Sequence, residues 1–315
     1  MALTYTEAQS VSTDLYDSVI KQQIYTKSPF LTKLQKNKDF VADGGNNYRW
    51  TIRYQTLGKA NAVDPEAEFV FEKKSTRTTA ILAPAFYKAE TMLTWKERNS
   101  NMGKPKVIDL IGDKSEELVQ DMANRFATDL YTTNPNGLGI VSLPVIVDAA
   151  DTYAGIAVSD AAAWAADEDS TTTELTLYGS GSLAEAIDDT ILGTEFANFH
   201  LTNPDLFHKF VSLIEPQKRY PDKDMADAGF QNVSFEGNPV FPDTHCPAGY
   251  WYGLCMNKGV WKLYHHPDDN FAVSKWESLA PDYPKNLGKY VTFEGNLICK
   301  CRKVNFKFSA LDYTI

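Results

Sequence analysis

The chain has 315 residues, with 31 Lys+Arg against 41 Asp+Glu for a formal net charge of −10, and is 43% hydrophobic and 23% charged. That is a globular composition, long enough to bury a core without staples. It excludes several classes: no stretch approaches the ~18 apolar residues of a membrane span, the opening MALTYTEAQSVSTDLYDSV lacks the regions of a secretory signal, and four cysteines make no disulfide framework but fit reduced thiols in a cytoplasm. The acidic balance also argues against a general nucleic-acid binder, which needs a concentrated positive face.

The first forty residues read as an arm with helical pieces. Leu15, Val19, Ile20 and Ile24 recur at helical spacing behind a cap at Ser12 or Thr13. Ser28-Pro29 interrupts that pattern, and a second short helix follows across Phe30, Leu31 and Leu34. Neither piece has enough apolar residues for its own core, so both are expected to pack on something else. After the turn cluster Asp43 to Asn47 the period becomes two: Tyr48, Trp50, Ile52 and Tyr54 alternate with Arg49, Thr51, Arg53 and Gln55. Lys59 to Glu68 (KANAVDPEAE) reads as a polar hairpin tip, Phe69-Val70-Phe71 as the start of the return strand, and Thr76 to Leu82 and Phe86 to Trp95 as further β sequence. A long two-stranded flap is marginal alone in water, so a neighbouring chain is expected to cover it.

From Pro105 to Thr133 the period is 3.6, with Val107, Ile108, Ile111, Leu118, Val119, Met122, Phe126 and Leu130 on one stripe. Gly112-Asp113 with Ser115-Glu116-Glu117 either restarts the helix or merely bends it, and Asn134-Pro135-Asn136-Gly137 ends it. Beyond it, Val141 to Val147 predicts a buried strand and Tyr153 to Glu174 a surface excursion. Leu175 to Leu177 predicts a brief strand and Ser182 to Phe196 an amphipathic helix. Phe199 to Leu201 reads as a strand leading into a helix capped by Thr202 to Asp205 that holds Leu206, Phe207, Phe210, Val211 and Ile214. A polar loop around Lys218 to Asp224 follows. The closing β sequence includes Val260 to Tyr264 and a hairpin of Tyr290–Phe293 with Leu297–Cys301, turning at Glu294-Gly295-Asn296. The mixture is α+β.

A search for chemistry finds neither a P-loop nor a GxGxxG or GxSxG pattern. His245, Cys246, His265, His266, Asp268 and Asp269 are zinc-type ligands, but adjacent residues on a strand point to opposite sides and no HExxH or CxxC pair supports them, so a solvated loop is the expectation. Cys299 and Cys301 read as core residues. Asp188-Asp189 and Asp268-Asp269 read as solvated surface, and the Tyr48/Trp50/Tyr54 stripe as sheet core. The basic runs Lys73-Lys74 with Arg77, and Lys300 through Lys307, read as solvated faces or as places where acidic surfaces of neighbouring copies dock. Nothing here amounts to an active site: no enzyme, cofactor or metal is expected.

The order of the parts resembles the major capsid protein of tailed bacteriophages, the Hong Kong 97-like fold. Glu66 to Phe71 with the β run to Trp95 and Lys96-Glu97 resembles that family's extended-loop return strand and entry to the spine helix. Lys106 to Tyr131 is similar to the spine helix, and Asn134 to Pro144 (NPNGLGIVSLP) to the segment after it. Leu201 to Pro204 with Leu206 through Ile214 resembles the axial-domain strand and helix. Gly237 to Val240, Pro242-Asp243 and Pro247 to Gly249 resemble its Gly-x-Pro-Val segment and proline-marked loop, and Tyr290 to Val304 the peripheral-domain strands.

The resemblance implies an N-terminal arm over 1–43 and an extended β-hairpin loop over 44–100. It implies a peripheral domain from 101–135 and 258–303, with spine helix and long strands, and an α/β axial domain from 136–257 and 304–315. It also implies a structural protein that self-assembles through pentamers and hexamers into an icosahedral shell around a phage genome, as part of the virion and assembled in the bacterial host cytoplasm. Partners would be copies of the chain itself, a portal, packaged double-stranded DNA without sequence-specific binding and, because no long charged scaffolding helix is recognisable, a separate scaffolding protein. No membrane is involved. Expected assembly contacts are Asn61, Asp64, Glu66, Glu68, Lys73, Lys74 and Arg77. The alternatives are an encapsulin-like nanocompartment shell and, less favoured, a metal-dependent hydrolase.

Overall fold

The computed structural model describes residues 28–42, 45–64, 66, 68, 71–100, 104–132, 137–214 and 233–314. The helical piece expected before Ile24, the stop at 133–136 and the polar loop around Lys218 lie outside the described residues. In chain order the first elements are α1 (Pro29–Asn37), β1 (Phe40–Ala42), β2 (Tyr48–Arg53), β3 (Arg77–Leu82), β4 (Ala85–Leu93), α2 (Trp95–Ser100), α3 (Lys104–Tyr131) and α4 (Leu143–Ile146). Next come β5 (Asp167–Asp169), α5 (Leu183–Asp189), β6 (Phe199–Thr202), α6 (Pro204–Ile214), β7 (Val233–Phe235), β8 (Asn238–Pro242) and β9 (Trp251–Leu254). The chain closes with β10 (Trp261–His265), β11 (Ala272–Val273), β12 (Glu277–Leu279), β13 (Tyr283–Cys299) and β14 (Phe306–Phe308).

These strands form three sheets. One runs β1-β10-β13-β11, with β12 and β4 also on β13; a second runs β5-β14-β9-β6-β8-β7; the third is the β2–β3 pair. In that pair Tyr48, Trp50 and Ile52 are buried while Arg49, Thr51 and Arg53 are exposed, the alternation the sequence carries. The return strand begins at Arg77, later than the expected Phe69: residues 71–76 are described without strand structure. Lys73-Lys74-Ser75 offers no apolar face to bury there. The β run expected to reach Trp95 stops at Leu93. Thr94 and Glu97 cap α2 reciprocally, the Thr94 N–H donating to Glu97 and the Glu97 N–H to the Thr94 hydroxyl.

α3 continues unbroken past Gly112-Asp113 for 28 residues, about 42 Å at 1.5 Å per residue. Leu118, Val119, Met122, Phe126 and Leu130 are buried, and α3 packs along β4 and β13. β4 and β13 pair from Leu93↔Leu287 to Ala85↔Gly295. β13 corrects the expected closing hairpin: Tyr283–Cys299 is one strand of 17 residues. Gly295 is there for close approach, because a Cβ would stand 2.3 Å from the Tyr264 carbonyl oxygen of β10. Asn296 reaches sideways, donating to the Ala83 carbonyl and accepting from the Val141 N–H.

Over the second sheet lies α6, whose Leu206, Phe207, Phe210 and Ile214 are buried, Phe210 meeting Trp251 at 5.2 Å between ring centroids. Asn203 caps it, accepting from the Asp205 N–H. α5 begins at the Ser182 cap, which accepts from the Glu185 N–H, and ends at Asp189 rather than Phe196. Thr190 closes it by donating to the Ile187 carbonyl and accepting from the Ala197 N–H. Leu175 to Leu177 forms no strand.

Two further expectations are corrected together. Val141 to Val147 is not a strand but contains the short helix α4, with Pro144 in its first turn. Residues 153–174 are not a surface excursion, since Tyr153 and Trp164 are buried and stacked at 5.7 Å. Nor is the basic run 300–307 wholly solvated. Arg302 is buried against both of those rings and donates to the carbonyls of Val145, Ile146, Asp148 and Asp151. Lys307 is buried too, donating to the Pro144 carbonyl and pairing with Asp148 and Glu168. A buried helix end leaves carbonyls that need donors, and these two cations supply them.

Candidate assembly surfaces

The β2–β3 hairpin positions the most exposed part of the described chain. At its neck, Tyr54 donates its N–H to the Thr76 carbonyl, and the Tyr54 hydroxyl and Gln55 amide both donate to the Ser75 carbonyl. Lys59 pairs with Glu72 one step further out. Beyond that rung Asn61, Asp64, Glu66 and Glu68 are all exposed, as are Lys73 and Lys74 between the rung and β3 and Arg77 at the root of β3. The structure therefore gathers the expected contact residues on one projecting loop. The loop also presents apolar side chains: Leu57 and Val63 are more than half exposed and Phe71 is 92% exposed. Sequence reasoning treated Phe71 as a strand residue; its position among charged neighbours was the available sign of another role. An isolated surface apolar residue is ordinary, but three on one loop offer apolar area that an assembly could bury.

The hairpin's inner face is fixed to the molecule. Trp50 packs on Tyr153 at 6.1 Å and Tyr48 on Tyr264 at 5.1 Å, and the Ile81 N–H donates to the Ala154 carbonyl. α1, expected to need an external partner, is buried on its own chain: Phe30, Leu31 and Leu34 have almost no exposed surface, and Phe30 meets the Trp261 ring edge-on at 5.3 Å.

The six candidate zinc ligands do not converge. His245 and Cys246 sit beside the buried Asp243, and the Cys246 thiol is pushed well up by burial. His265 is buried in β10 with Nδ1 against the His266 carbonyl, and Asp268 is exposed. Among the described residues one trio could hold an ion, His266, Asp269 and Glu294, and all three are partly exposed. Asp188 and Asp189 are exposed on α5. The thiols of Cys255 and Cys299 lie in the core. Burial, and then the neighbouring Glu195, brings Cys255 up to about 12, so it is no ready nucleophile. No described helix is long and apolar enough to cross a membrane.

No family model matches the sequence, and no curated protein matches it. Solved structures do match the fold. The chain is similar to the cyanophage A-1(L) capsid asymmetric unit, with TM-score 0.70 and 16% identity over 91% of this chain and 93% of that one. It is similar to the capsid of Myoviridae phage XM1, with TM-score 0.55 and 9% identity over 88% and 91%. The holo-SrpI encapsulin complex from Synechococcus elongatus PCC 7942 gives TM-score 0.58 and 11% identity over 92% and 90%. At such identities the likeness speaks for architecture, and it extends along nearly the whole length of both partners in each comparison. The chain has the Hong Kong 97-like capsid fold.

Proposed function

We propose that this protein is the major capsid protein of a tailed bacteriophage, a structural subunit that self-assembles through pentamers and hexamers into an icosahedral shell around a genome. The observation that carries this reading is the end-to-end fold match to the A-1(L) capsid subunit, coupled with a loop that exposes Phe71. Its role is structural rather than catalytic. The division into an arm (1–43), an extended loop (44–100), a peripheral domain (101–135 and 258–303) and an axial domain (136–257 and 304–315) is part of the same proposal. It is supported by the two six-stranded sheets, one built wholly from axial segments and the other from peripheral strands joined by β1 of the arm and β4 of the extended loop. Asn61, Asp64, Glu66, Glu68, Lys73, Lys74 and Arg77 are the proposed contacts with neighbouring copies.

A portal, a separate scaffolding protein and packaged double-stranded DNA complete the reading, with assembly in the bacterial cytoplasm and residence in the virion capsid. A net charge of −10 suits a container whose wall must not hold its DNA tightly. The encapsulin likeness makes a nanocompartment the second reading. Sedimentation of the chain expressed in bacteria, followed by nuclease and protease analysis of what the particles enclose, tests both. Megadalton particles protecting nucleic acid support the capsid, and particles protecting a single enzyme support the nanocompartment.

A further inference from the structure

The carboxylate of Asp243 is buried, 2% exposed, where three parts of the chain meet. Its Oδ2 accepts from the Ser28 hydroxyl at 2.9 Å and from the Tyr131 hydroxyl at 2.8 Å. Its Oδ1 accepts from the His245 N–H at 3.0 Å. The His245 ring Nδ1 stands 3.4 Å from the same oxygen without making a hydrogen bond. Ser28 is the residue entering α1, Tyr131 is the last residue of α3, and Asp243 follows β8, where its own N–H donates to the Thr202 carbonyl. One buried charge thus joins the start of α1, the end of the long helix and the second sheet.

The rest of the α1 unit is attached differently. Its end is a left-handed turn at Lys38, φ 56°. Asp39 then accepts from the Gly259 N–H through its side chain and from the Leu263 N–H through its carbonyl. β1 adds three residues, parallel, to the edge of β10. α1 is therefore a strap pinned at Ser28 by side chain and at its far end by the side chains of Asn37, which donates to the Met256 carbonyl, and Asp39, and by the backbone of residues 39–42. Its apolar face, Phe30, Leu31 and Leu34, holds it between those points.

We propose that Asp243 is a releasable clasp: it fixes the leading end of the α1 strap to the end of α3, and its loss frees that end without unfolding either sheet. A carboxylate accepting from two hydroxyls is the strong kind of hydrogen-bond centre, and in a buried site each lost donor matters. Release would then act against the buried contacts of Phe30, Leu31 and Leu34 and loosen residues 28–37 locally while the sheets stay closed, with one residue controlling both neighbours. The inference concerns the folded subunit and stands apart from shell formation.

Amide hydrogen exchange of the full chain tests it with three variants. Ser28→Ala should speed exchange in 29–38 by about tenfold, the loss of one charge-assisted hydrogen bond, and leave 283–299 unchanged. Tyr131→Phe should speed exchange at 128–132 and leave 29–38 unchanged. Asp243→Asn should do both. Unchanged protection of 29–38 in Ser28→Ala would overturn the proposal. Acceleration spread evenly across 283–299 would overturn it as well, because it would mean a general loss of stability rather than the release of one end.

Discussion

Phe126 has no exposed surface, and its ring meets Tyr87, Phe271 and Phe293 at 5.6, 5.3 and 5.1 Å between centroids. A charge at that point has no partner, so Phe126→Asp should cost several kcal/mol and yield insoluble or unfolded protein; a soluble variant with the parent melting temperature would contradict the packing. His200 shows the opposite case, a polar residue in an apolar place. Its Nδ1 accepts from the Trp251 indole at 3.4 Å while Nε2 has no partner, and burial brings its pKa down to about 3. A histidine held neutral in the fold but free to protonate near pH 6.5 when unfolded supports stability above that pH. The contribution drains away as pH falls from about 6.5 toward 3. The urea midpoint of the parent should therefore fall between pH 7 and 4.5, and that of His200→Leu should fall less; parallel curves would contradict this. Periodicity marked Phe126 as core, because a helical stripe states its own inside. It did not mark Arg302, Lys307 or Asp243 as buried: charged residues are ordinarily outside, and the carbonyls and hydroxyls that bring these inside come from residues more than a hundred positions away.

At the scale of elements, β13 shows how tertiary contact overrides a local signal. Glu-Gly-Asn reads as a turn in isolation, yet β4 and β10 flank the strand and Gly295 is the residue that permits their approach. Gly295→Ala would place a Cβ against the Tyr264 carbonyl and should destabilise the protein by about 3 kcal/mol or more, read as a lowered denaturant midpoint; an unshifted midpoint would show that the strands can part. A similar crowding occurs at Gly253, where a Cβ would enter the Phe306 ring. The long amphipathic helix, the β2 alternation and the Asn203-capped helix α6 were legible because each repeats one rule over many residues. The short α4 was not, since four residues carry no period. The projecting loop belongs to this scale too. The described residues of its tip are exposed, so deleting Asn61 to Glu66 should leave melting within a few degrees of the parent while abolishing or deforming particles. Parent yields of closed particles from the deletion would remove the loop from assembly.

For the whole molecule, the order of parts carried more information than any motif. Arm, flap, long helix, mixed region and closing strands form a sequence of elements specific enough to resemble one fold, and the solved capsids bear out that architecture over about nine-tenths of the chain. The candidate contact residues are a different matter. They are exposed on the β2–β3 loop and its root, while the surface they would touch belongs to another copy. The central claim is that the chain builds a closed shell, and electron microscopy of the full-length protein expressed in bacteria, alone and across a range of concentration and salt, tests it most directly. The account predicts closed icosahedral particles with five-fold vertices; a monomer carrying one zinc ion per chain would contradict it, whereas a bare monomer is what a missing scaffold also gives.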